Sequence, residues 1–304
     1  MIKIVYITGR GHSGSTVFDA LLGNAKAIES VGEFVSGVGK YRTEVCSCGS
    51  PMFNCPFWAN VINNYKHDYK SFFLQTKQQA HVKKFLSVLF FKHKQNQLIK
   101  DTLEFFNSIA EVNNASIVVD SSKEPTRALM LSRSSDVQIV HLVRNPERVI
   151  ASTYYRIEKG NKVQFLRKKF SINNPVAKFL FLTNLSISWS VGSLLVEIVK
   201  MVSKNKVITV KYEDIITNPK GVLKTLESHI GIPLEDLKTM IDKNDSLLVG
   251  HNIGGNHFRH DKKFVLDKSK TSHRKLSLFW KVGSISLNFP MMLYYGYNPF
   301  SKNG

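Results

Sequence analysis

The chain has 304 residues, 43% of them hydrophobic and 21% charged, close to globular averages. That balance excludes a disordered, collagen-like or disulfide-scaffold protein and leaves room for one large α/β domain or two small ones. Charge is the outlier: 42 Lys and Arg against 23 Asp and Glu give a net +19, which points to an anionic partner such as a nucleotide, nucleic acid, acidic polymer or membrane surface.

Residues 2–7 form a short apolar run that ends in glycines and is read as a first strand. The run is too short for a signal-peptide core and has no small-residue cleavage site after it. No segment has the ~18 unbroken apolar residues of a membrane span. The chain is therefore expected to be soluble and cytoplasmic, with peripheral contact at the inner membrane face left open. Residues 15–22 follow with apolar side chains at helical spacing, and Gly23-Asn24 stops that helix. Residues 32–56 are rich in Gly and Cys and read as irregular, and the stretch around Glu29 and Glu33 is a poor strand. From 58 to 112 the pattern is helical and rich in Lys and Gln, with Phe85, Leu86, Leu89 and Phe90 recurring at three and four.

Residues 116–120, 137–143 and 207–212 read as three further strands. A helix is expected after Asn145, with Pro146 at its first position. Residues 176–202 read as one long apolar helix or a pair, and Asn218-Pro219 opens another that ends near Gly231. The tail from Ser246 is loop-like and basic, then apolar and helical. Strands alternating with helices predict a three-layer α/β/α fold around a mainly parallel sheet. With no internal repeat and no linker-like break, a single domain over 1–304 is expected, with a helical insertion at about 58–112.

The three cysteines, Cys46, Cys48 and Cys55, lie within ten residues. An odd count argues against a secreted disulfide framework. A zinc site, a local disulfide and plain packing stay open. The one-residue spacer between Cys46 and Cys48 is tighter than common zinc spacing, and the sequence shows no fourth ligand. No metal is assigned to the chemistry.

The first strand runs into Gly9-Arg10-Gly11-His12-Ser13-Gly14-Ser15-Thr16. A glycine loop between a strand and a helix gathers backbone N–H groups and a helix N-terminus at one point, a geometry suited to phosphate or sulfate. Gly9, Gly11 and Gly14 satisfy the dinucleotide spacing, but the acidic residue that should end a second strand is poorly supported. Gly9, Gly14 and Thr16 satisfy the ATPase phosphate loop, but Ser15 stands where that loop needs its lysine. After the third strand comes Arg144-Asn145-Pro146, with Ser152 eight residues beyond Arg144. Two helical turns on from a strand end, Ser152 can share one anion with the Arg144 guanidinium.

Together these segments resemble the sulfotransferases that use 3′-phosphoadenosine 5′-phosphosulfate (PAPS). His12-Ser13-Gly14-Ser15-Thr16 is similar to the family's 5′-phosphosulfate loop, with His where Lys or Arg is usual and Arg10 nearby to supply charge. Arg144 and Ser152 resemble its 3′-phosphate motif. Asp120-Ser121-Ser122-Lys123-Glu124-Pro125 resembles the segment whose lysine holds the bridging sulfate region, and Lys211-Tyr212-Glu213-Asp214 the Tyr-Glu-Asp segment beside the nucleotide. Gly254-Gly255-Asn256-His257-Phe258-Arg259 and the cysteine cluster resemble the bacterial branch.

The resemblance implies a P-loop NTPase-like fold and a PAPS-dependent O-sulfotransferase, with PAP as product. It implies cofactor contacts from Arg10, Gly11, His12, Ser13, Gly14, Ser15, Thr16, Arg144, Ser152, Tyr212 and Arg259. Lys123, Arg10 and His12 would stabilise developing charge. Glu33 falls on the catalytic glutamate of the tyrosylprotein branch and is the candidate general base; other members use a histidine. A kinase or an NAD(P)-binding enzyme using the same loop is the alternative. No nucleic-acid partner is expected, for want of a recognition motif. Residues 61–100, 156–180 and 257–275 hold nearly all of the charge excess and lie mostly outside the cofactor motifs. They predict an anionic glycan, or a substrate presented at an anionic membrane, on the acceptor side, and the acceptor hydroxyl is expected on a glycan, glycolipid or small metabolite.

Overall fold

The structure is a computed structural model and describes residues 2–160, 162–165, 168–171, 173–266 and 276–298. The elements in chain order are β1 (Lys3–Gly9), α1 (Ser15–Leu22), β2 (Ile28–Ser30), α2 (Phe34–Val38), α3 (Pro56–Asn64), α4 (Tyr69–Gln79), α5 (Phe85–Phe90) and α6 (Asn96–Asn113). Then come β3 (Ile117–Lys123), α7 (Pro125–Leu131), β4 (Val137–Val143), α8 (Pro146–Gly160), β5 (Lys162–Phe165), β6 (Lys168–Ser171) and α9 (Pro175–Val202). The chain closes with β7 (Val207–Lys211), α10 (Tyr212–Thr217), α11 (Pro219–Ile230), α12 (Glu235–Asp242), β8 (Leu247–Leu248), β9 (Lys263–Phe264) and α13 (Leu278–Tyr294).

The main sheet has strand order β2-β3-β1-β4-β7, and every pairing in it is parallel. Its central strands are apolar on both faces because both faces are covered. Alternation along β1 assigns each face: Ile4 and Tyr6 join a core with Phe34, Trp58, Phe105 and Ala128, while Val5 and Ile7 join one with Phe18, Leu21, Leu223 and Leu226. The predicted three-layer parallel fold is therefore present. The connection from β1 leads to one edge of the sheet and that from β4 to the other. The crevice between their carboxyl ends is thus the switch point where open α/β sheets bind ligands.

Two local readings change and a third is decided. The poor strand around Glu29 is a strand after all: Ile28–Ser30 pairs in parallel with β3 at the sheet edge. With only three residues its pattern is too short to read, and its partner strand supplies the order. Between α8 and α9, where the sequence predicts no strand, β5 and β6 form an antiparallel hairpin. The 176–202 stretch is one helix of 28 residues, capped by the Asn174 side chain accepting from Ala177 N and opened by Pro175. Parts of the second and third basic stretches, among them Arg167, Lys268, Lys270, Arg274 and Lys275, lie outside the described residues.

Candidate active site

The glycine loop turns from β1 into α1 with Gly14 at the helix N-cap in the left-handed region, φ 89°. A Cβ on Gly14 would fall 2.1 Å from two carbons of the Tyr212 ring, so the loop can lie against Tyr212 only as glycine. His12, at φ 68°, also adopts the left-handed conformation. For a side chain of that shape it stores roughly 1 kcal/mol or more of strain, as backbones at binding sites often do. The result is a cradle in which a Cβ on Gly11 would meet no atom within 4 Å. Ser13 Oγ is buried and has no hydrogen-bond partner among the described residues.

Arg144 leaves the end of β4 towards the same cradle. Its Nη1 donates to the His12 carbonyl at 3.0 Å, and its guanidinium lies 4.4 Å from the centre of the Tyr212 ring. Trp189 Nε1 donates to the Arg144 carbonyl, and Asn145 N donates to Glu213 Oε1, so backbone on both sides of the arginine is pinned. Burial lowers the Arg144 pKa from its ordinary value. Its Nε is buried with no partner among the described residues. Such a donor is costly unless an acceptor from outside the chain satisfies it. Ser152, two turns along α8, brings its Oγ to 3.5 Å from His12 Nδ1.

These groups line a cleft of about 450 Å³ together with Ser15, Thr16, Glu33, Lys40, Lys123, Arg156, Gly255 and Asn256. A second, adjoining cleft of about 690 Å³ is lined by Arg10, Lys77, His81, Glu124, Ser188, Val191 and Leu195 among others. Gly11, Glu33, Ser36, Lys40 and Lys123 belong to both. Glu33 and Lys123 therefore stand at the junction of the two spaces, where Lys123 Nζ donates to Glu33 Oε1. Lys123 ends β3 at φ 73°, a second left-handed residue, and its carbonyl is held by Thr8 Oγ1 at 2.9 Å. Glu33 is roofed by the late glycine loop, since a Cβ on Gly255 would lie 3.1 Å from Glu33 Oε1.

The cleft is strongly cationic. Burial, then the charges of Arg156, Lys123, Arg144 and Arg10, push the His12 pKa down to about 4. At neutral pH His12 is thus an uncharged imidazole able to donate one hydrogen bond. Permanent charge comes from Lys40, Lys123, Arg144 and Arg156, and an anion entering the cleft meets them in a partly desolvated setting where they act strongly.

Of the residues expected from sequence, Gly11, His12, Gly14, Ser15, Thr16, Glu33, Lys123, Arg144, Ser152 and Tyr212 line one cleft, and Ser13 lies buried within its loop. Two lie elsewhere. Arg10 faces the adjoining cleft, its Nη2 donating to Ser188 Oγ at 2.9 Å. Arg259 pairs with Glu44 at 2.6 Å and donates to the Gly254 carbonyl, which makes it a brace for the late loop. Sequence reasoning passed over Arg156 and Lys40. Arg156 sits one helical turn beyond Ser152 on α8, so the 3.6 period carried a signal for it. Lys40 follows a short helix in an irregular segment and had none.

Residues 5–236, well over half of the chain, match the model of the sulfotransferase family. No curated protein sequence matches the chain. Among solved structures, the sulfotransferase domain from the curacin biosynthetic pathway superposes with a TM-score of 0.57 at 14% identity, covering 98% of this chain and 99% of that one. The sulfotransferase domain from the Synechococcus PCC 7002 olefin synthase gives 0.50 at 14% identity, covering 95% and 94%. Sulfotransferase STF9 from Mycobacterium avium gives 0.50 at 10% identity, covering 98% of this chain and 78% of that one. At these identities the structural likenesses speak for the fold, and the family match over residues 5–236 places the chain in the sulfotransferase family of enzymes.

Proposed function

We propose that this enzyme transfers a sulfuryl group from PAPS to an acceptor hydroxyl, with Glu33 as general base. The observation that carries the reading is the position of Glu33 and Lys123 at the junction of a cationic cleft and a second cleft open to an acceptor. The residues present suit PAPS: Arg144 Nε and Ser13 Oγ are buried donors without partners among the described residues, and the loop backbone leaves room at Gly11. The loop with Ser15 and Thr16 would hold the 5′ end, and Arg144 with Ser152 the 3′ phosphate. PAPS supplies the activated sulfuryl group. Selection against ATP follows from the Arg144–Ser152 pair and from Ser15 standing in place of the phosphate-loop lysine.

Sulfuryl transfer resembles phosphoryl transfer, with charge gathering on peripheral and leaving oxygens. Glu33 would remove the proton from the acceptor hydroxyl as its oxygen bonds to the sulfuryl sulfur, while the bond from sulfur to the 5′-phosphate oxygen would break and PAP would leave. Lys123, released from Glu33 when the hydroxyl arrives, donates towards the developing charge. His12, as a neutral donor, and the loop N–H groups complete the anion cradle. Arg10 acts on the acceptor side, consistent with its place in the second cleft.

For the acceptor we propose a glycolipid hydroxyl presented at an anionic bilayer. On α9, Val176, Ile187, Val191, Leu194 and Met201 are between 47% and 74% exposed, and on α13 Leu278, Phe279, Val282 and Leu293 between 52% and 77%. By length and composition α9 could cross a membrane, yet in this fold one side of it packs on the core. Val191 belongs both to this apolar face and to the acceptor cleft, so a lipid-anchored headgroup could reach Glu33 from that side. Lys178 and Lys200 lie on α9 and Lys281 on α13, the two helices that carry this apolar face, and apolar helices that also bear cations suit an interfacial, anionic surface.

Incubation with PAPS and a panel of glycolipid, glycan and small hydroxyl acceptors tests the proposal, read by mass spectrometry for an added SO₃. The expected outcome is a sulfated glycolipid, with Glu33→Gln lowering kcat ~10²-fold or more while PAP affinity is kept. Unchanged turnover in Glu33→Gln would remove Glu33 as base.

A further inference from the structure

The three cysteines have a fourth companion that the sequence places 196 residues beyond Cys55: His251. The three thiol sulfurs and the imidazole nitrogen facing them all lie within 4.8 Å of one another. Cys48 Sγ is 3.7 Å from Cys55 Sγ, Cys55 Sγ is 3.3 Å from His251 Nδ1, and Cys46 Sγ is 3.7 Å from the same nitrogen. Around a tetrahedral zinc, bonds of ~2.3 Å to sulfur and ~2.05 Å to nitrogen put ligand atoms about 3.8 Å apart for two sulfurs and about 3.6 Å for sulfur and nitrogen. The four atoms thus already stand near the corners of such a site. A disulfide needs sulfurs ~2.05 Å apart, and all three cysteines are free.

We propose that Cys46, Cys48, Cys55 and His251 bind one structural zinc ion. Three soft thiolates and one imidazole in tetrahedral array favour zinc over harder oxygen-seeking cations. The surroundings hold the ligands in place. The His251 ring stacks on Phe57 at 5.0 Å with an interplanar angle of 6°, and Trp58 Nε1 donates to the His251 carbonyl at 2.9 Å. The Gly49 N–H donates to the Cys46 carbonyl at 2.9 Å, closing the tight turn that presents Cys46 and Cys48 together. Four protein ligands leave no open position, so the ion is structural.

The site ties the 46–55 loop to the late loop beginning at His251. Ser47 Oγ donates to the Gly250 carbonyl and accepts from Asn252 N, and Ile253 N donates to the Val31 carbonyl. Gly254 and Gly255, immediately beyond, pack on Glu33. Zinc therefore staples the segment that roofs Glu33, at a distance from the reacting atoms.

Elemental analysis of the full chain, purified under reducing conditions and reconstituted with zinc alone before gel filtration, tests this. The expected result is about one zinc per chain, lost by more than fivefold in both His251→Ala and Cys48→Ser. Cys48 is exposed, so its serine variant keeps the fold even if the buried ligands do not tolerate change. Cobalt substitution is expected to give the intense visible bands of a tetrahedral thiolate site. Release of zinc with a chelator should lower Tm. Wild-type protein that retains no stoichiometric zinc, or that keeps full zinc in Cys48→Ser and His251→Ala, would overturn the proposal. A non-reducing mass spectrum showing a Cys48–Cys55 disulfide in metal-free, fully folded protein would do the same.

Discussion

At the scale of single residues, the site is made by groups whose local cost is offset by a ligand or a neighbour. Arg144 keeps a buried, unpartnered Nε, and His12 and Lys123 hold left-handed backbones. Asp19 illustrates the same economy without lining either cleft. It lies under the loop on α1, accepts from Ser30 Oγ at 2.6 Å and Asn252 Nδ2 at 2.8 Å, and its other oxygen has no partner among the described residues. Burial pushes its pKa up to about 8. A carboxyl whose pKa rises on folding adds stability that is fully present below its unfolded pKa, near 4, and is lost as pH rises towards 8. The slope is at most about 1.4 kcal/mol per pH unit. Thermal melting at pH 6 and pH 9 is expected to show a larger alkaline loss in wild type than in Asp19→Asn, whose neutral amide does not titrate. Equal losses would mean that Asp19 is ionised in the fold.

At the scale of elements, the sequence was legible where a pattern repeated and opaque where the chain met itself. β1, β3, β4 and β7 are apolar runs bounded by turn residues, and α11 opens at Asn218-Pro219 and closes at Gly231 as expected. The His12–Thr16 loop and the Arg144–Ser152 pair were readable because each lies within one strand–helix unit. The three-residue β2 was not, since its order comes from β3, far along the chain, and the β5–β6 hairpin was not, since strands of four residues are too short to show a clear alternation. Arg259 was misplaced for the same reason: its motif gave proximity to the site, while Glu44, far away in sequence, decided which way it turned. His251 stood beside no cysteine in the chain. The apolar stripe of α9 is a further case, because helical periodicity gives an apolar helix but not which side stays uncovered. If that side meets the bilayer, Ile187→Glu with Leu194→Glu should weaken co-sedimentation with phosphatidylglycerol vesicles at least tenfold, with Tm little changed because both side chains are about half exposed. Wild-type protein that stays in the supernatant with such vesicles would contradict the membrane-side acceptor.

At the scale of the whole molecule, the proposed function would give the net +19 two tasks. A few cations, Lys40, Lys123, Arg144 and Arg156, converge on the cleft at the β1–β4 switch point. Lys66, Lys70, Lys83, Lys94 and Lys100 are exposed, and under the proposed function they would suit an acceptor that is itself anionic or sits at an anionic surface. The parallel sheet makes the first task possible by bringing loop residues 9–16, Lys123, Arg144 and Tyr212 to one edge from four strand ends. Glu33, on the connection that follows β2, faces them across the junction of the two clefts.

The central claim is that this cleft is built for PAPS, and it can be tested without knowing the acceptor. Isothermal titration of PAP, ATP and NADP into the full chain, repeated with Arg144→Ala, reads it directly. The account predicts one PAP site per chain, little or no binding of ATP or NADP, and PAP affinity reduced at least tenfold in Arg144→Ala. Binding of ATP in preference to PAP, or unchanged PAP affinity in Arg144→Ala, would contradict it.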